Sequence, residues 1–228
     1  AINGEAGVYF SNKVKEVSGG DVRVRFHEPN ALVPSLEVWD AVKNGSVDAG
    51  YTTPGYHAGK IPAVSYFTAV PFGPGASEYH GWMEYGGGQQ LKDRIYGEYG
   101  LKALNCLTHA PETSGWFRKK INNVEELKGM KMRFFGLGAM VMSKLGVSTQ
   151  LLAGGDIYPA LEKGVIDATE FSMPTHDLSY GFYQLAKFNY FPGWHQQTSI
   201  GELLMSTIGW GGLTKTQQAV INTASRDT

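Results

Sequence analysis

One cysteine, Cys106, stands alone in 228 residues, so no disulfide can form within the chain and cysteine usage is silent about compartment. Its neighbours Leu104 and Leu107 mark an ordinary buried thiol, with no activating motif beside it. No run of about 18 apolar residues occurs, which excludes a helical membrane span, and the chain opens in polar sequence, Ala1-Ile-Asn-Gly, with nothing resembling a leader. Charge of one sign is not in excess: 20 basic and 21 acidic residues leave a net charge of −1, and the basic ones are scattered, which disfavours nucleic acid as a partner. There is no Gly-x-Ser-x-Gly elbow and no His-Glu-x-x-His, and Gly86-Gly87-Gly88 is not followed by the Gly-Lys-Ser/Thr of a phosphate loop. What remains is a globular chain, 42% hydrophobic and 18% charged, long enough for one large or two small domains.

The informative stretch runs from Lys131 to Asp177. A strand is expected at Met132–Phe135, then a glycine turn (Gly136, Gly138), then a helix over Ala139–Leu145 ended by Gly146. Arg133 therefore sits in a strand feeding a helix start. That is a place to hold an anion, because the first helical N–H groups lack partners and a guanidinium matches a carboxylate. A second helix over Asp156–Gly164 and a strand over Val165–Phe171 carry Glu170, which the pattern allows to meet Arg133 at one cleft.

The second half of that stretch has an earlier echo. Trp39-Asp-Ala-Val-Lys-Asn-Gly45-Ser-Val-Asp48-Ala49 matches Tyr158-Pro-Ala-Leu-Glu-Lys-Gly164-Val-Ile-Asp167-Ala168 at a constant offset of 119 residues. Each copy reads as helix, glycine cap, Asp-containing turn and strand, which suggests two similar α/β lobes. A cleft between lobes is a common small-molecule site. Tyr51-Thr-Thr-Pro-Gly-Tyr56-His57 occupies the position in the first copy that Glu170 occupies in the second, so Tyr56 is a candidate donor to a ligand oxygen or, equally, a packed loop aromatic.

Elsewhere the punctuation is local. Gly7–Val17 reads as a helix stopped by Gly19-Gly20, and Val22-Arg-Val-Arg-Phe26 alternates like a half-buried strand. Ser35, Asn123 and Thr214 are expected N-caps, and Ala76–Arg94 is expected to be helical but broken at the triple glycine. Two strands flank the loop around Glu112, one within Gly100–Thr108 and one at Trp116-Phe117, and Ile200–Met205 is a further strand. The aromatic run Phe188–His195 suits packing of a lobe edge, with His195 a weaker ligand candidate.

Five blocks in order, Pro71-Phe-Gly73, Ser114-Gly-Trp-Phe117, Lys131-Met-Arg-Phe-Phe-Gly-Leu-Gly138, Gly154 to Glu170 and Phe191-Pro-Gly-Trp-His195, resemble the solute-binding proteins of tripartite ATP-independent periplasmic (TRAP) transporters, DctP type, in the branch that binds 2-oxo and 2-hydroxy acids. The resemblance spans about Val22 to Trp210 and implies a two-lobed α/β periplasmic-binding-protein fold with a ligand cleft between lobes, closed by contacts from both. It implies lobe I over 1–110, lobe II over 111–200 and a return crossing over 201–228, and a chain shortened at both ends relative to the family. It further implies a small organic acid as ligand, the membrane subunits of a transporter as partners, a periplasmic location, and no enzymatic activity. Arg133 would pair with the ligand carboxylate, while Glu112, Glu170 and the main chain of Phe171 would hold a calcium or sodium ion. Two departures stand out: Glu112 replaces the family's usual amide and Phe171 its usual tryptophan. Without the resemblance, Glu112 and Glu170 also fit the acid/base pair of a glycosidase-like hydrolase, and His176-Asp177 with Ser172 or Ser179 a nucleophile system, although residue type alone supports either. A structural interaction domain is the third reading, disfavoured by the repeat.

Overall fold

The computed structural model describes residues 2–228. Its helices are α1 (Ile2–Val17), α2 (Val38–Lys43), α3 (Ala76–Tyr85), α4 (Gly88–Gly97), α5 (Gly136–Lys144), α6 (Gly154–Glu162), α7 (Pro174–Tyr180), α8 (Thr207–Gly212) and α9 (Lys215–Asp227). Its strands are β1 (Ala49–Thr52), β2 (Leu101–His109), β3 (Gly115–Phe117), β4 (Lys131–Arg133), β5 (Ser148–Gln150), β6 (Ala168–Thr169), β7 (Phe188–Tyr190) and β8 (Ser199–Ser206). The α/β class is as the sequence implies. No helix among the described residues is long and apolar enough to cross a membrane.

The chain forms two compact units. Unit 1 takes the described residues up to Val64 with His80–Thr108 and Ile200–Thr228, and unit 2 takes Ser65–Tyr79 and His109–Ser199. Residues 65–79 thus belong with the second unit, although the sequence places 1–110 together. Unit 1 carries the sheet β1-β8-β2, with β1 antiparallel to β8. Its core joins Phe10 and Val14 of α1 to Leu104, Cys106, Leu203, Met205 and the α9 residues Val220, Ile221 and Ala224. Cys106 is buried, as its neighbours suggest, and burial pushes its thiol up to about 11. Helix α9 starts with a reciprocal capping box between Thr214 and Gln217.

The repeat is real down to its hydrogen bonds. In the first copy Asn44, Gly45, Ser46 and Val47 donate to the carbonyls of Asp40, Val42, Ala41 and Ala41; in the second Lys163, Gly164, Val165 and Ile166 donate to Pro159, Leu161, Ala160 and Ala160. Every pair keeps the same offset. Gly45 (φ 74°) and Gly164 (φ 70°) occupy the left-handed region that closes this type of helix end, where a Cβ would be strained.

Unit 2 is built on a mixed sheet in the order β5-β4-β6-β3-β7, with β4 parallel to both β5 and β6, and β3 antiparallel to β6 and β7. Alternation on β3 sends Phe117 to a core with Met130, Met132, Phe134, Met142 and Ala168, and Trp116 to a core with Ile157, Leu161, Ile166 and Phe182. Cover on both faces is why all three residues of β3, near the middle of the sheet, are buried.

Three local expectations change. Residues 22–26 alternate in burial, with Val22 and Val24 against the unit 1 core, but form no ladder among the described residues. Ser35 is no cap: it begins a 3-10 turn, Ser35–Glu37, and its hydroxyl donates to Asn30 Oδ1. The strand expected over 165–171 is only Ala168–Thr169, leaving Glu170 and Phe171 just beyond its end.

Candidate functional site

From β4 the chain passes through α5 to β5 on one side, then through α6 back across to β6 on the other, so the winding reverses between β4 and β6. The carboxyl ends of parallel strands at such a reversal are the usual ligand position in open α/β sheets. Arg133 is the last residue of β4 and Glu170 follows the last residue of β6. The antiparallel neighbours complete the same end: Trp116 pairs with Thr169 and Gly115 with Tyr190. Glu112, just before β3, and His195, just after β7, are therefore delivered beside Arg133 and Glu170.

All four side chains are buried. Arg133 Nη1 donates to Glu170 Oε1 at 2.8 Å and to the Glu170 carbonyl at 2.9 Å, while Nε donates to the Leu152 carbonyl at 3.2 Å. Its guanidinium lies over the rings of Phe171 (5.2 Å) and Phe135 (5.9 Å), which fix its plane. His195 Nε2 is 3.1 Å from Glu112 Oε2 and 3.7 Å from Glu170 Oε2. Among the described residues Glu112, Glu170 and His195 place one donor atom each within 4.8 Å of one another.

These charges are interdependent. Burial opposes ionisation of Glu170, but Arg133, His195 and the Phe135 backbone N–H together outweigh it and lower the pKa. Burial pushes Glu112 up to about 7 against its hydrogen bond with His195. Burial opposes a charge on His195 too, yet its hydrogen bond with Glu112 and the neighbouring Glu170 carboxylate raise it to about 9. Near neutrality two cations thus face two carboxylates of which one is only loosely ionised.

Glu170 Oε2 makes no hydrogen bond although it is buried, the kind of gap a bound cation closes. With a second carboxylate and an imidazole beside it, the donor set fits an oxygen-preferring or mixed-donor metal ion. Sequence reasoning brings Arg133, Glu112 and Glu170 together but gives His195 little weight, because its arrival depends on the β3–β7 pairing. Phe171 presents its ring to Arg133. Tyr56 lies in unit 1, in the 3-10 helix Pro54–His57.

A nucleophile system does not assemble. His176 Nδ1 is 3.1 Å from Ser172 Oγ, but Asp177 Oδ2 accepts from Trp116 Nε1 (2.8 Å) and Thr113 Oγ1 (3.5 Å), and Ser179 Oγ donates to the His176 carbonyl. Burial pushes Asp177 up to about 8 from 3.8. Between those values the folded chain keeps a proton that the unfolded chain releases, so stability falls as pH rises from about 4 to about 8. One proton held by the folded chain alone makes that slope at most about 1.4 kcal/mol per pH unit. Asp177→Asn retains an acceptor for Trp116 and is expected to flatten the slope, stabilising the protein at pH 8 more than at pH 5. Denaturant unfolding at both values checks this; an unchanged difference contradicts it.

The backbone of the loop that carries Glu112 packs directly on that of Gly193. Gly193 N–H donates to the Glu112 carbonyl at 2.7 Å, and a Cβ at Gly193 would sit 2.7 Å from that oxygen and 3.0 Å from the Thr113 carbonyl group. Gly193→Ala must push these backbones apart. The expected cost is about 1–3 kcal/mol of stability, as for other overpacking, and an unfolding midpoint equal to wild type would contradict it.

The family model for bacterial extracellular solute-binding protein, family 7 (DctP), matches residues 2–228. A monocarboxylate 2-oxoacid-binding periplasmic protein of Nostoc sp. strain PCC 7120 is 38% identical over 215 residues, covering 94% of this chain and 59% of that protein. A TRAP periplasmic solute-binding protein from Pseudoalteromonas atlantica T6c, solved with bound sodium and pyruvate, superposes with a TM-score of 0.95 at 34% identity, covering 99% of this chain and 68% of its own. One from Colwellia psychrerythraea, with bound calcium and pyruvate, gives 0.94 at 35%, covering 99% and 69%. The chain therefore spans about three-fifths of the length of the curated relative it matches. With the family model matching the described chain from end to end, this protein belongs to the DctP family of bacterial extracellular solute-binding proteins.

Proposed function

We propose that the protein is the periplasmic solute-binding subunit of a TRAP transporter, capturing a small monocarboxylate with a 2-oxo or 2-hydroxy group and passing it to the membrane subunits. The observation that carries this reading is the Arg133–Glu170 ion pair with Glu112 and His195 beside it at one sheet end. Arg133 Nη2 makes no hydrogen bond among the described residues and is the donor left for a ligand carboxylate. Glu112, Glu170 and the Phe171 carbonyl would hold a calcium or sodium ion, which when bound supplies a positive contact for a second ligand oxygen. Tyr56 remains a candidate ligand contact on the sequence reading. The relatives solved with pyruvate and a cation support this ligand class.

We place the protein among binders and not enzymes. Catalytic use of His176 with Asp177 is disfavoured because Asp177 accepts from Trp116 and does not orient His176. Native mass spectrometry of the protein as purified tests the proposal: an unchanged small acid released with a metal ion is expected. Turnover of an ester or glycoside substrate would overturn it.

A further inference from the structure

We infer that unit 1 holds a second small-molecule site, in a cavity bounded by α3, α4, β2 and α9, and that its ligand is a neutral polyol the size of a single sugar ring. The cavity is made by unit 1 alone, whereas Arg133, Glu112, Glu170 and His195 belong to unit 2, so this inference does not depend on the acid and cation reading above. At about 290 Å3 it lies at the lower end of the range of ligand pockets, about 300–1,000 Å3.

Two amides in the lining are fixed by partners of their own. Buried Lys92, which pairs with Glu202 at 2.7 Å, donates to Asn105 Oδ1 at 2.8 Å. An ammonium only donates, so the amide oxygen must face it, and Asn105 Nδ2 is left as a donor. Gln89 is fixed the other way: its Nε2 donates to Asp93 Oδ1 at 2.8 Å, which leaves Oε1 as an acceptor. Hydroxyl groups donate and accept at once, so a polyol satisfies both amides, whereas a carboxylate only accepts and an ammonium only donates.

The charges around the cavity are already closed. Lys102 Nζ holds both Asp93 oxygens at 2.7 Å, and Arg226 Nη2 lies 3.1 Å from Glu84 Oε2. Two cations therefore meet two carboxylates, and no net charge recruits an ion. Buried Met83 and Leu104 supply an apolar patch for the C–H face of a ring, the usual complement to a few placed polar groups.

The test is a proton–nitrogen NMR titration of the full chain with glucose, galactose, mannose and myo-inositol, and with glucuronate as the charged analogue, following the side-chain amide signals of Asn105 and Gln89. At least one neutral compound is expected to shift both signals with millimolar affinity, and glucuronate is expected to act on them about tenfold more weakly than that compound. Asn105→Leu and Gln89→Leu should each weaken binding of the neutral compound about tenfold, the scale of a hydrogen bond left unmade in a desolvated site. Gln89 is half-buried and its variant leaves Lys92 untouched, so it reads the site even if Asn105→Leu does not fold. No shift of either signal with any neutral polyol overturns the site. Glucuronate acting on both signals as strongly as the best neutral compound overturns the ligand class.

Discussion

Arg133→Lys is expected to weaken ligand binding about 10- to 150-fold while leaving the net charge unchanged. The guanidinium at the end of β4 performs several tasks at once: Nη1 and Nε are committed to Glu170 and Leu152, its plane lies against Phe171 and Phe135, and Nη2 remains for a ligand. An ammonium is a point donor without that planar fork, so a lysine that neutralises Glu170 cannot also present a second, fixed donor. Losing one hydrogen bond to a charged group costs about 1.5–3 kcal/mol, which is the fold-change above. Calorimetric titration of pyruvate into wild type and variant, at a temperature where both are folded, measures it. Equal affinities would remove Arg133 from the ligand site.

The parts of this site that are legible in the sequence are those encoded locally. Strand, glycine and helix start within 131–138 locate Arg133, and the 119-residue echo locates the turn before Glu170, because both depend on residues near one another in sequence. His195 is hidden for the opposite reason. It reaches Glu112 across 83 residues through the register of β3 on β7, and Phe-Pro-Gly-Trp-His reads locally as aromatic packing, which it also is. Asp177 escapes similarly: next to His176 it suggests a relay, yet its partner is Trp116, 61 positions away. In unit 1, buried Lys92 pairs with Glu202 at 2.7 Å, a contact between α4 and β8 that no local pattern announces. Conversely, the alternation of residues 22–26 predicts burial correctly but pairing wrongly, since period two reports which face is covered and not whether a neighbouring strand is present.

Ligand binding is expected to depend strongly on a cation. Arg133 and His195 already face Glu170 and Glu112, so a carboxylate ligand entering alone adds a further negative charge to a buried cluster. Burying a charge without a partner costs several kcal/mol after relaxation. A divalent ion between Glu112 and Glu170 offsets that charge and gives a 2-oxo or 2-hydroxy oxygen a partner, while a monovalent ion does so less completely. Because position 112 is a glutamate and not the amide of the resembling family, the preference for calcium over sodium should be the stronger here. Losing the ion removes at least one charge-assisted contact of about 1.5–3 kcal/mol, so binding without it should weaken by about tenfold at the least.

Titration of pyruvate into chelator-treated protein, with calcium, with sodium and with neither, tests the central claim most directly. Tightest binding with calcium, weaker binding with sodium and the weakest with neither is the predicted order. Equal affinity in all three conditions would contradict a bridging ion at Glu112 and Glu170, and would leave the Glu112–His195 pair as a structural contact.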